Sequence, residues 1–313
     1  MNNIVNLFED VKTPNYGPAD FNIDQAPLTY ITESGVKKAS KHVIYRTDTG
    51  IELGIHGSRY SDLYDLSYKR MIDNQRDCIN KSGLNLGGLS EDIQVSHNGA
   101  KCFVRHTLPD VKLRTPDGDQ AALTFLTVSS LDGTFPFIST TGANQWACMN
   151  GQVFTNNAAT MYKSRHTKKL NIDHAAKIMY QAVDIFKDEV DKWFVWSEIG
   201  VNYTDSFLAF AKAANANAVF TWRKEYPTSS ISEMLLQPKI YSNTALMYMW
   251  DKYTTHYSKK MGTNQWAVYN TLTDWSTHAP AARESSQVNI ASISYKRGET
   301  VRDTILTSFQ EAA

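Results

Sequence analysis

The segment Ile93-Gln94-Val95-Ser96-His97-Asn98-Gly99-Ala100-Lys101-Cys102-Phe103-Val104-Arg105-His106-Thr107 decides the fold. Two strand-like runs, Ile93–Ser96 and Lys101–Thr107, flank Asn98-Gly99. That dipeptide is the strongest short hairpin signal, because asparagine and glycine tolerate the positive φ a tight primed turn demands. An antiparallel pair is expected here, and its neighbours extend it. Upstream, Lys41–Arg46 and Ile51–His56 flank the turn-type linker Thr47-Asp48-Thr49-Gly50, a second hairpin. Downstream, strands near Ala121–Ser129 and Phe135–Thr140 are separated by Leu131-Asp132-Gly133. Between the hairpins, Leu63, Leu66, Met71 and Ile72 recur at near-helical spacing, predicting a helix from Ser61 to about Asn80 stopped by Gly83.

Beyond residue 170 the period changes from two to about three and a half. Ile178, Met179, Val183, Phe186, Val190 and Phe194 form an apolar stripe on a helix from Ile172 to about Trp196. Further helices are expected near Asp205–Ala214, Ser242–Ser258, Gln265–Trp275 and Thr300–Phe309. Strands first and helices later predict an α+β fold, an antiparallel sheet in the N-terminal half packed against helices mostly from the C-terminal half. No long Gly/Ser/Pro linker divides residues 36–313, so they are expected to form a single α+β domain. Residues 1–35 carry five acidic groups against Lys12 alone, with Pro14, Gly17, Pro18 and Pro27 as breakers. They read as an irregular N-terminal arm, draped over the body or exchanged with a neighbouring subunit.

One internal echo stands out. Gly142–Asn150 and Gly262–Asn270 agree at six of nine positions. Either both are helix starts capped by Asn144 and Asn264, or they are similar elements paired around one groove.

The 313 residues are 42% hydrophobic and 20% charged, enough apolar material for a core. Thirty-two basic residues balance thirty-two acidic ones, which excludes a polyanion-coating protein of the histone kind. Any nucleic-acid site must therefore be local. Cys78, Cys102 and Cys148 are odd in number and far apart, without a C-x-x-C pair, so a disulfide framework and a zinc ribbon are not expected. The acidic start and the lack of a long apolar run suit a cytosolic protein.

Signatures of catalysis are sparse. No G-x-x-x-x-G-K-[ST] is present, and Gly83…Gly87-Gly88 follows a helix instead of a strand. His166 with His174 and His97 with His106 lack the i, i+4 spacing of H-E-x-x-H and an evident carboxylate ligand. Asp251 and Asp274 read as solvated helix faces. The expectation is a protein without catalytic residues, metal or cofactor.

Cations interleaved with rings are more informative. Alternation puts Lys101, Phe103 and Arg105 on one strand face and Cys102, Val104 and His106 on the other. If the second set is core, the first faces outward, where a ring between two cations can stack a base and hold its phosphates. Alternatively Phe103 is core and the cations snorkel around it. Met161–Lys169 holds Tyr162, Lys163, Arg165, His166, Lys168 and Lys169 without an acid, a local positive patch or a solvated connection. Lys37, Lys38 and Lys41 form a third cluster and Lys296-Arg297 a fourth.

The ordered motifs Leu131-Asp132-Gly133, Ala147-Cys148-Met149-Asn150, Arg165-His166-Thr167 and Asn270-Thr271-Leu272-Thr273-Asp274-Trp275 with His278 resemble a phage/plasmid-like family of unknown function over roughly residues 40–280. Met149 and Gly151 depart from that family's glutamine and threonine. Length, aromatic content and the acidic start also resemble the early single-stranded-DNA-binding proteins of podoviruses that package a virion RNA polymerase. That resemblance implies a non-enzymatic early phage protein of the host cytoplasm, acting in viral DNA replication or transcription regulation. Its expected partners are single-stranded DNA, copies of itself as a homo-oligomer, and phage RNA polymerase or replication proteins; no membrane is expected. Two other readings compete: a metal-dependent nucleic-acid hydrolase using His97, His106, His166 or His174, and a host-protein-binding scaffold or inhibitor using aromatic helices, where Trp250, Tyr253 and Tyr257 have core-like spacing.

Overall fold

In the computed structural model, residues 15–57, 59–81, 89–145, 151–153, 161–164 and 172–309 are described. The hairpin around Asn98-Gly99 forms, through a four-residue loop between the paired Ser96 and Lys101, with φ of 54°, 58° and 100° at His97, Asn98 and Gly99. It joins β4 (Ser90–Ser96) to β5 (Lys101–Arg114), and β5 pairs in turn with β6 (Gln120–Ser130). Next comes β7 (Phe137–Gln145), whose outer edge takes both β8 (Gly151–Val153) and β9 (Met161–Ser164). All pairings in this six-stranded sheet are antiparallel. A separate three-stranded antiparallel sheet contains β1 (Ile23–Thr32), β2 (Gly35–Arg46) and β3 (Glu52–His56).

The helix before β4 is α1 (Tyr68–Lys81), preceded by a 3-10 turn at Tyr64–Leu66. Its start lies seven residues beyond the expected Ser61, because Ser67 caps it: the Arg70 amide donates to Ser67 Oγ at 3.2 Å. After the sheet come α2 (Ile172–Glu198), α3 (Tyr203–Ala213), α4 (Asn217–Glu225), α5 (Ile231–Leu235), α6 (Pro238–Tyr241) and α7 (Thr244–Lys252). A π turn at Tyr253–Tyr257 leads to α8 (Ser258–Met261), α9 (Gln265–His278) and α10 (Ile290–Ser308). Strands thus fill the first half and helices the second, an α+β protein as expected.

Both faces of the six-stranded sheet are covered. Cys102 and Val104 pack with Met71 and Ile72 of α1. Farther along that face, Leu123, Phe125 and Ala143 join Ala182, Phe186 and Val190 of α2. On the opposite face, Phe103, Val128 and Ile138 meet Ala291 and Tyr295 of α10. Helix α9 is almost wholly buried among its neighbours, and several of its hydroxyl and amide side chains bond back to carbonyls of the helix itself. Asn270 Nδ2 donates to the Trp266 carbonyl at 2.9 Å and Thr271 Oγ1 to that of Ala267 at 2.8 Å.

One reading of the N-terminal region changes. Ile23–Thr32, expected within an irregular arm, is a strand. Pro27 fits because β1 is an edge strand and the register shifts beside it, between Pro27 and Thr29. Residues 15–22 do lie over the body: Ala19 and Phe21 are buried, and Tyr16 Oη donates to Asp73 of α1. The echo also separates. Asn264 caps α9, accepting from the Ala267 amide at 2.9 Å, but Asn144 sits within β7 opposite Ala122. A strand pairing on both sides of β7 overrides the local helix-start signal there.

Candidate functional site

Alternation correctly sorts β5 into two sets, but neither faces solvent. Lys101 and Phe103 are each 5% exposed and Arg105 is mostly buried, because α10 lies across the face expected to be open. Lys101 Nζ pairs with Asp132 at 3.5 Å and stands 5.4 Å from the Phe135 ring. Burial raises the Asp132 carboxyl, yet hydrogen bonds from Thr134 and Ser130 and the Lys101 charge outweigh it, so the net shift is downward. Phe103 belongs to an aromatic cluster, 6.2 Å from Phe135 and 6.0 Å from Tyr295. The outward expectation for this trio is therefore corrected: Phe103 is core, and Lys101 is held by a carboxylate.

Register shows which sites share a surface. Gln94, Phe103, Val128, Ile138 and Lys163 form one cross-strand row, and Asp92, Arg105, Leu126, Thr140 and Met161 the next. Lys163 is exposed and lies on the same sheet face as Phe103, three strand steps or about 14 Å away. Tyr162 points to the other face, its ring 6.0 Å from that of Phe137. Arg165, His166, Lys168 and Lys169 lie outside the described residues.

Where the sheet and α10 diverge, a cavity of about 260 Å³ opens. Arg105, Thr124, Leu126 and Thr140 line it from the sheet, and Ser294 and Tyr295 from α10. Thr124 pairs with Gly142, so a missing side chain beside a small one leaves the gap. Within the gap Glu299 accepts a bidentate pair from Arg302, at 2.7 and 2.8 Å. Arg105 has no hydrogen bond or ion pair among the described residues. Burial lowers its pKa, offset in part by Asp92.

Lys37 and Lys38 lie elsewhere, on the free end of the β1–β2 hairpin. Tyr30 is directly opposite Lys37, Ile31 opposite Val36 and Thr29 opposite Lys38. This end stands clear of the core: Tyr30 is 53% exposed, Ile31 86% and Val36 68%, and Lys37, Lys38 and Lys41 are exposed too. Between residues 25 and 47 four fixed cations face one carboxylate, Glu33. None of Lys37, Lys38 or Lys41 has an ion-pair partner among the described residues. Sequence reading named the cations but missed Tyr30, since the hairpin was hidden inside the expected arm.

The other basic and histidine clusters are structural or undescribed. Arg297 donates to the Trp275, Ala279 and Pro280 carbonyls, closing the C-terminus of α9. His106 is fully buried and donates through Nε2 to Glu91 at 2.7 Å, while His97 sits exposed in the β4–β5 turn. His166 and the His174 side chain lie outside the described residues. Among the described residues no three His, Cys, Asp or Glu gather where they could hold a metal ion. Tyr253 and Tyr257 are core, and Trp250 is partly buried. Asp274, expected on a solvated face, is instead buried, accepting from Tyr248 at 2.6 Å and Tyr257 at 2.7 Å. The two tyrosines come from residues 17 and 26 positions upstream, a proximity helical spacing cannot reveal. Among the described residues no helix is long and apolar enough to cross a membrane.

Residues 53–294 match the protein family described as "Domain of unknown function (DUF932)". No curated protein and no solved structure matches the chain.

Proposed function

Because this chain belongs to the DUF932 family, a domain of unknown function, its role must be argued from its own surface, and we propose that it is a non-enzymatic single-stranded-DNA-binding protein. The observation that supports this is the projecting β1–β2 hairpin. A solvent-exposed Tyr30 lies opposite Lys37, with Lys38 at the same hairpin end on the other face and Lys41 farther along β2, and among the described residues no carboxylate pairs with any of the three. An exposed ring stacks any base, and unpaired lysines next to it hold the flanking phosphates. Lys163 on the edge strand β9 is a further exposed cation, in the other sheet.

This reading continues the likeness to Drc, the early single-stranded-DNA-binding protein of podoviruses that package a virion RNA polymerase. The role would be that of an early phage protein in the host cytoplasm. It would serve viral DNA replication or transcription regulation, as a homo-oligomer working with phage RNA polymerase or replication proteins.

Titration of a fluorescent oligonucleotide at two salt concentrations tests the proposal. Affinity is expected to fall as salt rises. Lys37→Ala with Lys38→Ala should flatten the log–log salt slope by about 1.4, at about 0.7 per phosphate contact on a single strand. Tyr30→Ala should weaken binding roughly fivefold to a hundredfold, the equivalent of about 1–3 kcal/mol of stacking, with the slope unchanged. Absent or salt-insensitive binding removes the proposal, and unaltered affinity in both variants removes the hairpin from it.

A further inference from the structure

From the cavity beneath α10 we infer a second site, which binds a small organic phosphate on Arg105. The space, about 260 Å³, far exceeds the roughly 10–15 Å³ one water needs. It falls just under the low end, about 300 Å³, of ordinary ligand pockets. It suits a small molecule and excludes a polynucleotide strand.

Its polar equipment calls for an anion. Arg105 is opposite Asp92 across the β4–β5 ladder, yet the two make no ion pair, and Asp92 accepts instead from Gln94 at 2.7 Å. Two carboxylates line the cavity, Asp92, which takes that bond from Gln94, and Glu299, which is committed to Arg302 through both oxygens. A mostly buried guanidinium with no hydrogen bond or ion pair among the described residues is costly, and the cavity it lines is where a partner fits. Three hydroxyls, those of Thr124, Thr140 and Ser294, also line the space and make no hydrogen bond among the described residues.

The number of donors separates phosphate from carboxylate. A carboxylate is satisfied by the two parallel bonds of the guanidinium fork. A phosphomonoester presents a third terminal oxygen, which the threonine and serine hydroxyls can serve. Leu126, Phe103 and Tyr295 form an apolar wall for the rest of the molecule. Burial raises the Tyr295 hydroxyl to about 12, so it stays protonated and can donate as well.

Calorimetric titration of the full chain with dAMP, inorganic phosphate, benzoate and deoxyadenosine tests this site. dAMP should bind tightest, phosphate more weakly, and benzoate and deoxyadenosine at least tenfold more weakly than dAMP. Arg105→Met should weaken dAMP binding at least tenfold while raising the melting temperature of the ligand-free protein, because an unpaired buried charge is removed. Thr140→Val, nearly isosteric, should weaken dAMP several-fold without loss of fold. Lys37→Ala with Lys38→Ala should leave dAMP binding unchanged, which separates this site from the hairpin. Failure of dAMP to bind, equal binding by Arg105→Met, a lower melting temperature in that ligand-free variant, or benzoate binding as tightly as dAMP would each overturn the inference.

Discussion

Glu91 joins three elements through one carboxylate. Arg76 of α1 donates to it at 2.6 and 3.0 Å, and His106 of β5 at 2.7 Å. Burial pushes its pKa up, but the His106 and Arg76 hydrogen bonds and charges prevail and hold it at about 2, against an ordinary 4.5. Since the folded value is depressed, the stabilisation is present above about 4.5 and is lost as pH falls toward 2. Glu91→Gln should therefore lower stability near neutral pH by up to about 3 kcal/mol, at about 1.4 kcal/mol for each tenfold change in proton affinity. It should also flatten the acid limb of the stability profile. Urea unfolding at neutral pH and in mild acid measures both, and an unchanged acid limb would show that Glu91 does not govern it. Lys101 makes the same point from the other sign of charge. Its position on β5 is readable from alternation, but its ion pair with Asp132 spans 31 residues and depends on where β6 ends.

At the level of elements, Gly54 of β3 lies directly against the turn that follows β6. A Cβ there would stand 2.0 Å from the Leu131 carbonyl oxygen and 2.8 Å from the Asp132 Cα. Both obstacles are backbone, so neither can rotate away. Gly54→Ala is expected to destabilise the protein by about 1–3 kcal/mol, the usual cost of overpacking, read as a fall in melting temperature. A variant melting with the parent would mean that β3 and the turn after β6 separate at little cost. Gly142–Asn150 and Gly262–Asn270 carry the converse lesson. Nearly one nonapeptide begins a capped helix at Asn264 and continues a strand at Asn144. Local signals carried β4–β5, α2 and α9, where turn chemistry, periodicity and capping agreed. They failed where strand pairing outweighed them.

Considered whole, the molecule exposes two aliphatic side chains, Ile31 at 86% and Val36 at 68%, at the end of an edge. Ile31 and Val36 face each other across β1 and β2, and among the described residues nothing pairs with the outer edge of β1. An unpaired edge with exposed aliphatic residues favours pairing with a second copy. Sedimentation of the full chain should show self-association, which Ile31→Glu with Val36→Lys shifts toward monomer. A parent that sediments as a monomer at tens of micromolar would refute it.

Much of this architecture was legible in the residues alone. Asn98-Gly99, the alternation on β5 and the Val183, Phe186 and Val190 part of the α2 stripe depend on neighbours within one or two turns of chain, whereas Phe194, read into that stripe, is 44% exposed and Trp193 is buried instead. Such short-range physics is written directly in order and spacing. The partition of Lys101, Phe103 and Arg105 from Cys102, Val104 and His106 was equally fixed by the period of a strand. Which of those faces meets water was not. That was settled when α10, nearly two hundred residues later, covered one face while α1 and α2 covered the other. Burial is a property of what packs against a surface, and no local pattern specifies a partner so distant in the chain. The same long-range packing created the cavity around Arg105 and left the Tyr30–Lys37 hairpin uncovered.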